Sequence, residues 1–287
     1  MKLGRYSLGI GDRFGRQGVA QLRALQRAEA QGVAITPVWN KSFREHQIIG
    51  TQPADTRRAA DAAVRAAGWR RPYFVDADHI SLRTVDAFAA SCDFFTLDVA
   101  ESIGQPPPAA DLAAFVKTQR RWVGSLSIPG LDAPLEVSES VLERAGATYL
   151  VAVREAARIY RRIAELKGAA PFVTEVSMDE CETPQTPSDL LLILTALAQD
   201  GVPVETLAPK FSGRFNKGVD YAGDPARFAR EFEMDLAVLQ FARRELRTML
   251  SRLAPLLDHV ELDGDVEYAQ SHFVSGVKHL PIAYSMR

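Results

Sequence analysis

The segment PYFVDADHISLRTVDAFAASCDFFTLDV (72–99) decides the fold class. It begins with an apolar run at 72–76, continues through a helix-like stretch at 84–90, and ends in a second apolar run at 93–99. Short apolar runs on either side of a helical pattern are typical of a βαβ unit, whose two strands are parallel. We therefore interpret this segment as one unit of a parallel α/β sheet.

The same alternation of strand-like and helix-like runs extends along most of the chain. The further strand-like runs lie at 6–11, 33–39, 172–177 and 205–211, and the further helix-like runs lie at 17–31, 54–67, 138–167, 188–199 and 225–253. Turn-forming residues at 106–108 and 125–134 indicate a surface excursion. Because each helix returns the chain to the start of the next parallel strand, the alternation predicts a TIM-barrel-like (β/α) repeat.

The number of strands predicts that this repeat is incomplete. About six parallel strands are recognisable, whereas a closed TIM barrel has eight, and residues 259–262 and 273–277 are only weak candidates for the others. We accordingly divide the chain into a (β/α)-barrel-like catalytic domain at 1–253 and a divergent tail at 254–287 that packs on or beside the barrel. The first strand is not followed by GxGxxG, which favours a barrel over a dinucleotide-binding sheet.

The composition excludes several classes of function. The chain has 287 residues, of which 47% are hydrophobic and 24% are charged, and its formal net charge is -2. These values exclude a disordered chain and provide no electrostatic attraction for nucleic acid. We expect no membrane partner, because no apolar run approaches the length of a bilayer span. Two cysteines without a CxxC motif, Cys92 and Cys181, predict a reducing, cytoplasmic location.

The sequence DADH (76–79) ends the first strand of the deciding segment and carries candidate catalytic groups. Alternation along a strand places Asp76 and Asp78 on one face and His79 on the other. Imidazole is a common metal ligand, and a neighbouring carboxylate can orient it or act as a base. A polar strand exit, with an aspartate that caps the next helix, explains the same residues equally well.

A second candidate is Glu175, in the middle of the apolar run FVTEVS (172–177). A carboxylate between Val173 and Val176 is costly to bury, and an apolar pocket would raise the pKa of Glu175 toward neutrality, where it can donate a proton. The alternative is a structural ion pair, with Lys210 as the partner. Buried acids gather at active sites, which favours the catalytic interpretation.

Polar residues that follow other strands are candidate substrate contacts. The segment KFSGRFNKG (210–218) supplies a cradle for an anion, either a sugar-acid carboxylate or a phosphate, through Lys210, Arg214, Asn216 and Lys217. Further substrate contacts would come from Asp76 and from the ends of the first two strands, through Asp12, Arg13, Asn40 and Lys41. Ordinary polar surface loops have the same composition and are the alternative in both places.

Several segments together resemble the tagaturonate epimerase family, also called tagaturonate/fructuronate epimerase. The strings that carry the resemblance are GIGDRFG (9–15), ITPVWNKS (35–42), REHQIIGT (44–51), PYFVDADHI (72–80), DFFTLDVA (93–100), FVTEVSMDE (172–180), QTP (185–187) and APKFSGRFNKGVDYAGD (208–224). The resemblance extends over about residues 6–242. It implies a metal-dependent isomerase of hexuronate catabolism, with a sugar acid as its small-molecule partner.

Carried over position by position, the resemblance implies Asp78 as proton acceptor, Glu175 as proton donor and His79 as a ligand of a divalent cation. The cation would be Mn, Zn, Ni or Mg, because one histidine and several carboxylates suit all four. The family pattern also implies two later strands, each with another metal-binding histidine in a VHSGSDK-like or an LHLKTAGTT-like string. Neither string occurs in this sequence.

Three functions therefore stay open at the level of sequence. The first is a metal-dependent epimerase that interconverts D-tagaturonate and D-fructuronate by retro-aldol and aldol chemistry. The second is a sugar-acid aldolase or isomerase on the same scaffold, and the third is a shortened, catalytically inactive family member. The exposed strand edges of an incomplete barrel would also favour pairing into a homo-oligomer.

Overall fold

The structure is a computed structural model and describes residues 3–179, 181–215, 220–253, 259–261 and 283–285. In chain order its elements are β1 (Tyr6–Gly9), α1 (Gly18–Ala30), β2 (Ile35–Ser42), α2 (Phe43–Ile49), α3 (Pro53–Ala67), β3 (Phe74–Ile80), α4 (Val85–Phe88), β4 (Phe94–Asp98), α5 (Ala109–Gln119), β5 (Gly124–Leu126), β6 (Leu135–Val137), α6 (Glu139–Lys167), β7 (Val173–Ser177), α7 (Pro187–Gln199), β8 (Thr206–Ala208), α8 (Pro225–Leu253), β9 (His259–Glu261) and β10 (Ala283–Ser285).

Six of these strands form one sheet in the order β1-β2-β3-β4-β7-β8, and every neighbouring pair is parallel. The sheet curls into a half-barrel with helices on its outer face. The strand order follows the chain because helical crossovers link each strand to the neighbour that it joins. The prediction of a TIM-barrel-like repeat with six parallel strands is therefore confirmed.

The two faces of the sheet carry different cores. On the outer face, Val75, Phe95 and Leu97 belong to the large apolar cluster that includes the helices. On the inner face, a small separate cluster closes the lower part of the half-barrel and consists of Leu3, Val38, Phe74, Phe94 and Val173. Since side chains alternate along a strand, the next inward-facing residues lie nearer the carboxyl ends of the strands. Those positions carry the polar groups of the candidate site.

The structure contains two helices and a hairpin that the sequence analysis missed. The predicted surface excursion includes the helix α5 and a small antiparallel hairpin made by β5 and β6. The polar loop predicted after the second strand is instead the end of β2 and the start of α2. Its signal was a capping box, in which the Ser42 hydroxyl accepts a hydrogen bond from the Glu45 backbone N–H and the Glu45 carboxylate accepts one from the Ser42 backbone N–H.

The predicted barrel strand at 259–262 is wrong in its placement. Residues His259–Glu261 form β9, which pairs antiparallel with β10 and lies outside the six-stranded sheet. The other candidate, 273–277, and most of the predicted tail at 254–287 lie outside the described residues. The domain boundary at 253 stays a prediction. Within the described ranges, no helix combines the length and the apolar character needed to cross a bilayer.

Candidate functional site

A chain of polar side chains crosses the inner face just above the apolar cluster. The Thr96 hydroxyl lies 3.2 and 3.1 Å from the two carboxylate oxygens of Asp76 and 3.4 Å from Oε1 of Glu175. The Thr206 hydroxyl donates to Oε2 of Glu175 at 2.8 Å. These four residues lie on β3, β4, β7 and β8, so the network joins four neighbouring strands.

A β-bulge in β3 shapes the rim above this network. Ala77 is in register with Phe95, and Ile80 is in register with Leu97, so Asp78 and His79 together lie opposite Thr96. The extra residue shifts the alternation, which returns Ile80 to the outer core, where it is fully buried. A bulge re-aims the side chains around it. Simple alternation had separated His79 from Asp78, and this prediction is wrong because of the bulge.

His79 adopts a left-handed backbone conformation, with φ of 50°, the only positive φ outside glycine among the described residues. Its imidazole lies between two carboxylates. Nε2 is 3.9 Å from Oδ1 of Asp78, and Nδ1 is 3.8 Å from Oδ2 of Asp98 at the end of β4. Strained backbone at a functional rim persists only where the surrounding structure imposes it. The bulge thus holds the imidazole at the carboxyl edge, beside Asp78.

The strain at His79 gives a stability prediction. We expect His79→Gly to be more stable than His79→Val by about 1–3 kcal/mol, since only glycine adopts this φ without steric cost. Urea unfolding of the two variants measures the difference directly. Equal free energies of unfolding would show that the left-handed conformation does not exist in solution.

The interior position raises the pKa values of two acids. Burial raises the pKa of Glu175 to about 7, and the nearby carboxylate of Asp78 acts in the same direction, while the hydroxyls of Thr206 and Thr96 oppose the rise. Burial also raises the pKa of Asp76 well above its usual value, with further increases from Asp78 and Glu175. A carboxylic acid whose pKa is near 7 can donate a proton at neutral pH. The predicted rise in the pKa of Glu175 therefore agrees with its environment.

The ion pair of Glu175 with Lys210, the structural alternative, is absent among the described residues. Glu175 is held by the two threonines instead. The Lys210 backbone N–H donates to Oε1 of the buried Gln185 at 2.8 Å, which ties the loop after β8 to the start of α7. Arg214 is exposed, and its backbone pairs with Ala222. The other two members of the predicted anion cradle, Asn216 and Lys217, lie outside the described residues.

Of the predicted contacts from the first two strands, Asn40 lies on the inner face, two residues after Val38 and in register with Asp76, while the others fall in a different place. Asp12 and Lys41 line a separate cavity of about 90 Å³ between the loop after β1 and the start of α3. The Lys41 ammonium is buried and donates to the Arg13 carbonyl at 2.7 Å, while Arg13 reaches Glu45 through an ion pair of 3.6 Å. The Asp12 carboxylate accepts three backbone N–H groups of its own loop. These contacts organise the loop after β1 rather than the interior.

The residues of the rim do not make a complete metal site by themselves. Across the described ranges, no three His, Cys, Asp or Glu side chains converge closely enough to hold an ion. Asp98 lies beside Nδ1 of His79, and a carboxylate in this position usually supports a metal-binding imidazole. His79 itself would supply a single nitrogen donor to the cation. A cation held by His79 would need ligands from outside the described residues.

The sequence analysis missed two polar residues of the interior, Thr96 and Thr206, and it noted Asp98 only as one of the polar residues at the strand ends. Thr96 and Thr206 looked like ordinary strand residues, since threonine is common in strands. The available signal was alternation, which places Thr96 and Asp98 on the same face as Phe94.

Acidic residues and hydroxyls lie at the carboxyl edge of this curled parallel sheet, where barrel enzymes carry their chemistry. The fold and the site together define the class of protein as a (β/α)-barrel protein.

Comparison with known proteins identifies the family. The family model of tagaturonate epimerase (UxaE) matches residues 1–244. The tagaturonate/fructuronate epimerase of Thermotoga maritima is 30% identical over an alignment of 244 residues, which covers 80% of this chain and 49% of that protein. The chain therefore belongs to the tagaturonate epimerase family, and the predicted resemblance is confirmed.

Solved structures agree on the fold. The native crystal structure of the fructuronate–tagaturonate epimerase UxaE from Cohnella laeviribosi superposes with a TM-score of 0.71 at 23% identity, over 84% of this chain and 51% of that chain. A glycerol complex of the same protein gives a TM-score of 0.70 at 24% identity. The chain thus spans about half the length of the relatives that it matches.

Proposed function

We propose that the inner face of the half-barrel is the site of an epimerase that interconverts D-tagaturonate and D-fructuronate. The observation that supports this proposal most directly is the position of Thr96, which lies opposite Asp78 and His79 in the sheet and 3.4 Å from Oε1 of Glu175. The two carboxyl groups thus lie on neighbouring parts of one rim, where one can take a proton and the other can give one.

The chemistry of the two sugar acids explains why such a pair is needed. They differ at a hydroxyl-bearing carbon two bonds from the ketone, and the hydrogen on that carbon is not acidic. In the proposed route the hydroxyl on that carbon loses its proton, the carbon–carbon bond next to it breaks, and an aldehyde and an enediolate result. Rotation of the aldehyde and re-formation of the bond invert the centre.

The residues of this chain would move the protons in that route. Asp78 takes the proton from the substrate hydroxyl, and Glu175 returns a proton to the alkoxide after the bond has re-formed, with the two roles exchanged in the opposite direction. Their position in a partly buried interior makes each charge interaction stronger than in water. Lys210 and Arg214 are proposed to hold the substrate carboxylate, because both lie in the loop after β8.

A divalent cation is part of this proposal, with His79 as one ligand. Such a cation supplies Lewis-acid stabilisation to oxygens that become negative. Asp98 would orient the imidazole ring of His79 through Nδ1, the ring nitrogen beside which it lies. The remaining ligands would have to come from outside the described residues, and the choice among Mn, Zn, Ni and Mg stays open.

One observation favours a second candidate, a catalytically inactive family member that only binds sugar acids. Its described residues contain no group of three His, Cys, Asp or Glu side chains that could hold a metal ion. A sugar-acid aldolase on the same scaffold is a third candidate.

We propose a cytoplasmic location for the protein from its two free cysteines. We propose homo-oligomer formation from β1 and β8, each of which has a neighbouring strand on one side only among the described residues.

Incubation with ¹³C-labelled tagaturonate in deuterium oxide, with each divalent cation in turn, tests the three candidates. We expect fructuronate to form without deuterium on the inverted carbon, because the bond that breaks is between carbons. Accumulation of three-carbon fragments would identify an aldolase. An Asp132→Asn variant, changed at an exposed aspartate, serves as the control. If no cation gives conversion while tagaturonate still binds, the epimerase proposal fails and the inactive member stands.

A further inference from the structure

Thr96 occupies the centre of the interior network, and neither the sequence motifs nor the family resemblance assigns it a role. It is 3% exposed and lies on the inward face of β4. Its hydroxyl is within hydrogen-bond distance of two different carboxyl groups, those of Asp76 and Glu175. A buried hydroxyl between two carboxyl groups can accept a hydrogen bond from one of them and donate a hydrogen bond to the other.

The number of hydrogens limits the possible arrangements. A threonine hydroxyl donates one hydrogen and accepts others through its lone pairs. If both carboxyls were ionised, that hydrogen could serve only one of them, and two buried negative charges would face the same hydroxyl oxygen, which is an expensive arrangement even with the Thr96 backbone N–H on Asp76 and the Thr206 hydroxyl on Glu175. The cost falls if one carboxyl is protonated and donates to the threonine oxygen. Asp76 suits that state, because it is 4% exposed and carries no ion pair among the described residues.

Glu175 is held differently from Asp76. Thr96 faces its Oε1 and Thr206 donates to its Oε2, so each oxygen of the carboxylate meets its own hydroxyl. Two donors on opposite oxygens fix the plane of the carboxyl group. The charged or polar groups that face it are Asp76 and Asp78 from β3, Thr96 from β4, Asp179 after β7, and Thr206 from β8.

We propose that Thr96 is a positioning residue for the proton donor: its hydroxyl accepts a hydrogen bond from protonated Asp76 and donates to Glu175. In this arrangement the Glu175 carboxyl is fixed between the hydroxyls of Thr96 and Thr206. Asp76 is then a buried partner of the proton donor, and it does not contact the substrate. The catalytic meaning of this network rests on the proposed function, whereas the network itself can be tested without activity.

Two isosteric substitutions test the proposal against a matched control. Thr96→Val removes the hydroxyl and keeps the shape, and Thr96→Ser restores the hydroxyl. Thr174→Val is the control, since Thr174 is fully buried on the same strand as Glu175 and its hydroxyl has no partner among the described residues. The Glu175 carboxyl is followed by ¹³C NMR through a pH titration, with its signal assigned by its loss in Glu175→Gln.

We expect Thr96→Val to raise the titration midpoint of Glu175 by about one pH unit, because the ionised form loses a donor. Thr96→Ser and Thr174→Val should stay within about 0.3 of the unaltered protein. The infrared band of protonated carboxyls at pH 7 should lose the intensity of one carboxyl group in Asp76→Asn. If Thr96→Val does not fold, Thr206→Val removes the second donor from Glu175, and its midpoint must rise in the same direction.

The proposal is overturned if Thr96→Val titrates like Thr174→Val, or if Asp76→Asn leaves the intensity of the protonated-carboxyl band unchanged at pH 7. Where tagaturonate is converted, Thr96→Val should lower kcat by about tenfold with KM unchanged, since the acid rather than the binding surface is affected. Where the unaltered protein converts nothing, the epimerase proposal fails, and the titrations still decide the role of Thr96.

Discussion

Asp78→Asn should lower kcat/KM for tagaturonate by about a thousandfold or more, because the substrate hydroxyl loses the base that takes its proton. That factor corresponds to about 4 kcal/mol of transition-state stabilisation. The amide has nearly the shape of the carboxylate, so the half-barrel should keep its fold. A steady-state assay in both directions, together with thermal unfolding, measures the effect.

The reason for expecting so large an effect is the position of Asp78. It lies on the bulge of β3, beside His79, and its charge reaches Asp76 and Glu175 in the interior. Asp132→Asn, at an exposed position outside the sheet, should keep full activity. A loss of less than tenfold in Asp78→Asn, with Asp132→Asn unchanged, would remove Asp78 from the proposed mechanism.

Glu175→Gln should combine a gain in stability with a loss of activity. In the folded protein the pKa of Glu175 is raised from 4.5 to about 7, so the native state binds its proton more tightly than the unfolded state does. Stability from this group is complete below pH 4.5 and is lost as the pH rises toward 7. At pH 8 we expect the variant to be more stable than the unaltered protein by about 1–3 kcal/mol.

The same substitution removes the proton donor of the proposed reaction. We expect kcat to fall by about a hundredfold or more, since a glutamine cannot supply a proton. Urea unfolding between pH 4 and pH 9 and the pH profile of kcat measure the two consequences. The stability difference between the proteins should grow between pH 4.5 and 7 and then level off. A variant that is less stable than the unaltered protein at pH 8 would show that Glu175 is held as a structural anion.

Most of the fold follows from short-range patterns that the sequence displays. The parallel order of the sheet comes from apolar runs such as PYFVD and DFFTLDV with helical periodicity between them, and the structure confirms six strands. The small helix α5 and the hairpin of β5 and β6 were missed, because proline and glycine near them indicated only turns.

The site was harder to predict, because it depends on one irregularity. Strict alternation separates His79 from Asp78, and only the bulge opposite Thr96 returns both to the same rim. A bulge has no reliable sequence signature when its left-handed residue is a histidine instead of a glycine. The contacts of Asp12 and Lys41 could not be predicted from the sequence either, because they depend on how the loop after β1 folds onto α3.

The most direct test of the account is where a sugar acid binds. Two-dimensional NMR of the labelled protein, titrated with tagaturonate and with the uncharged ketose tagatose, locates the site without requiring turnover. We predict that tagaturonate shifts the backbone signals of 76–79, 96–98 and 175–177, and that tagatose has a weaker effect. Shifts confined to the cavity around Lys41, or no shifts with either compound, would contradict the claim that the half-barrel interior binds a sugar acid.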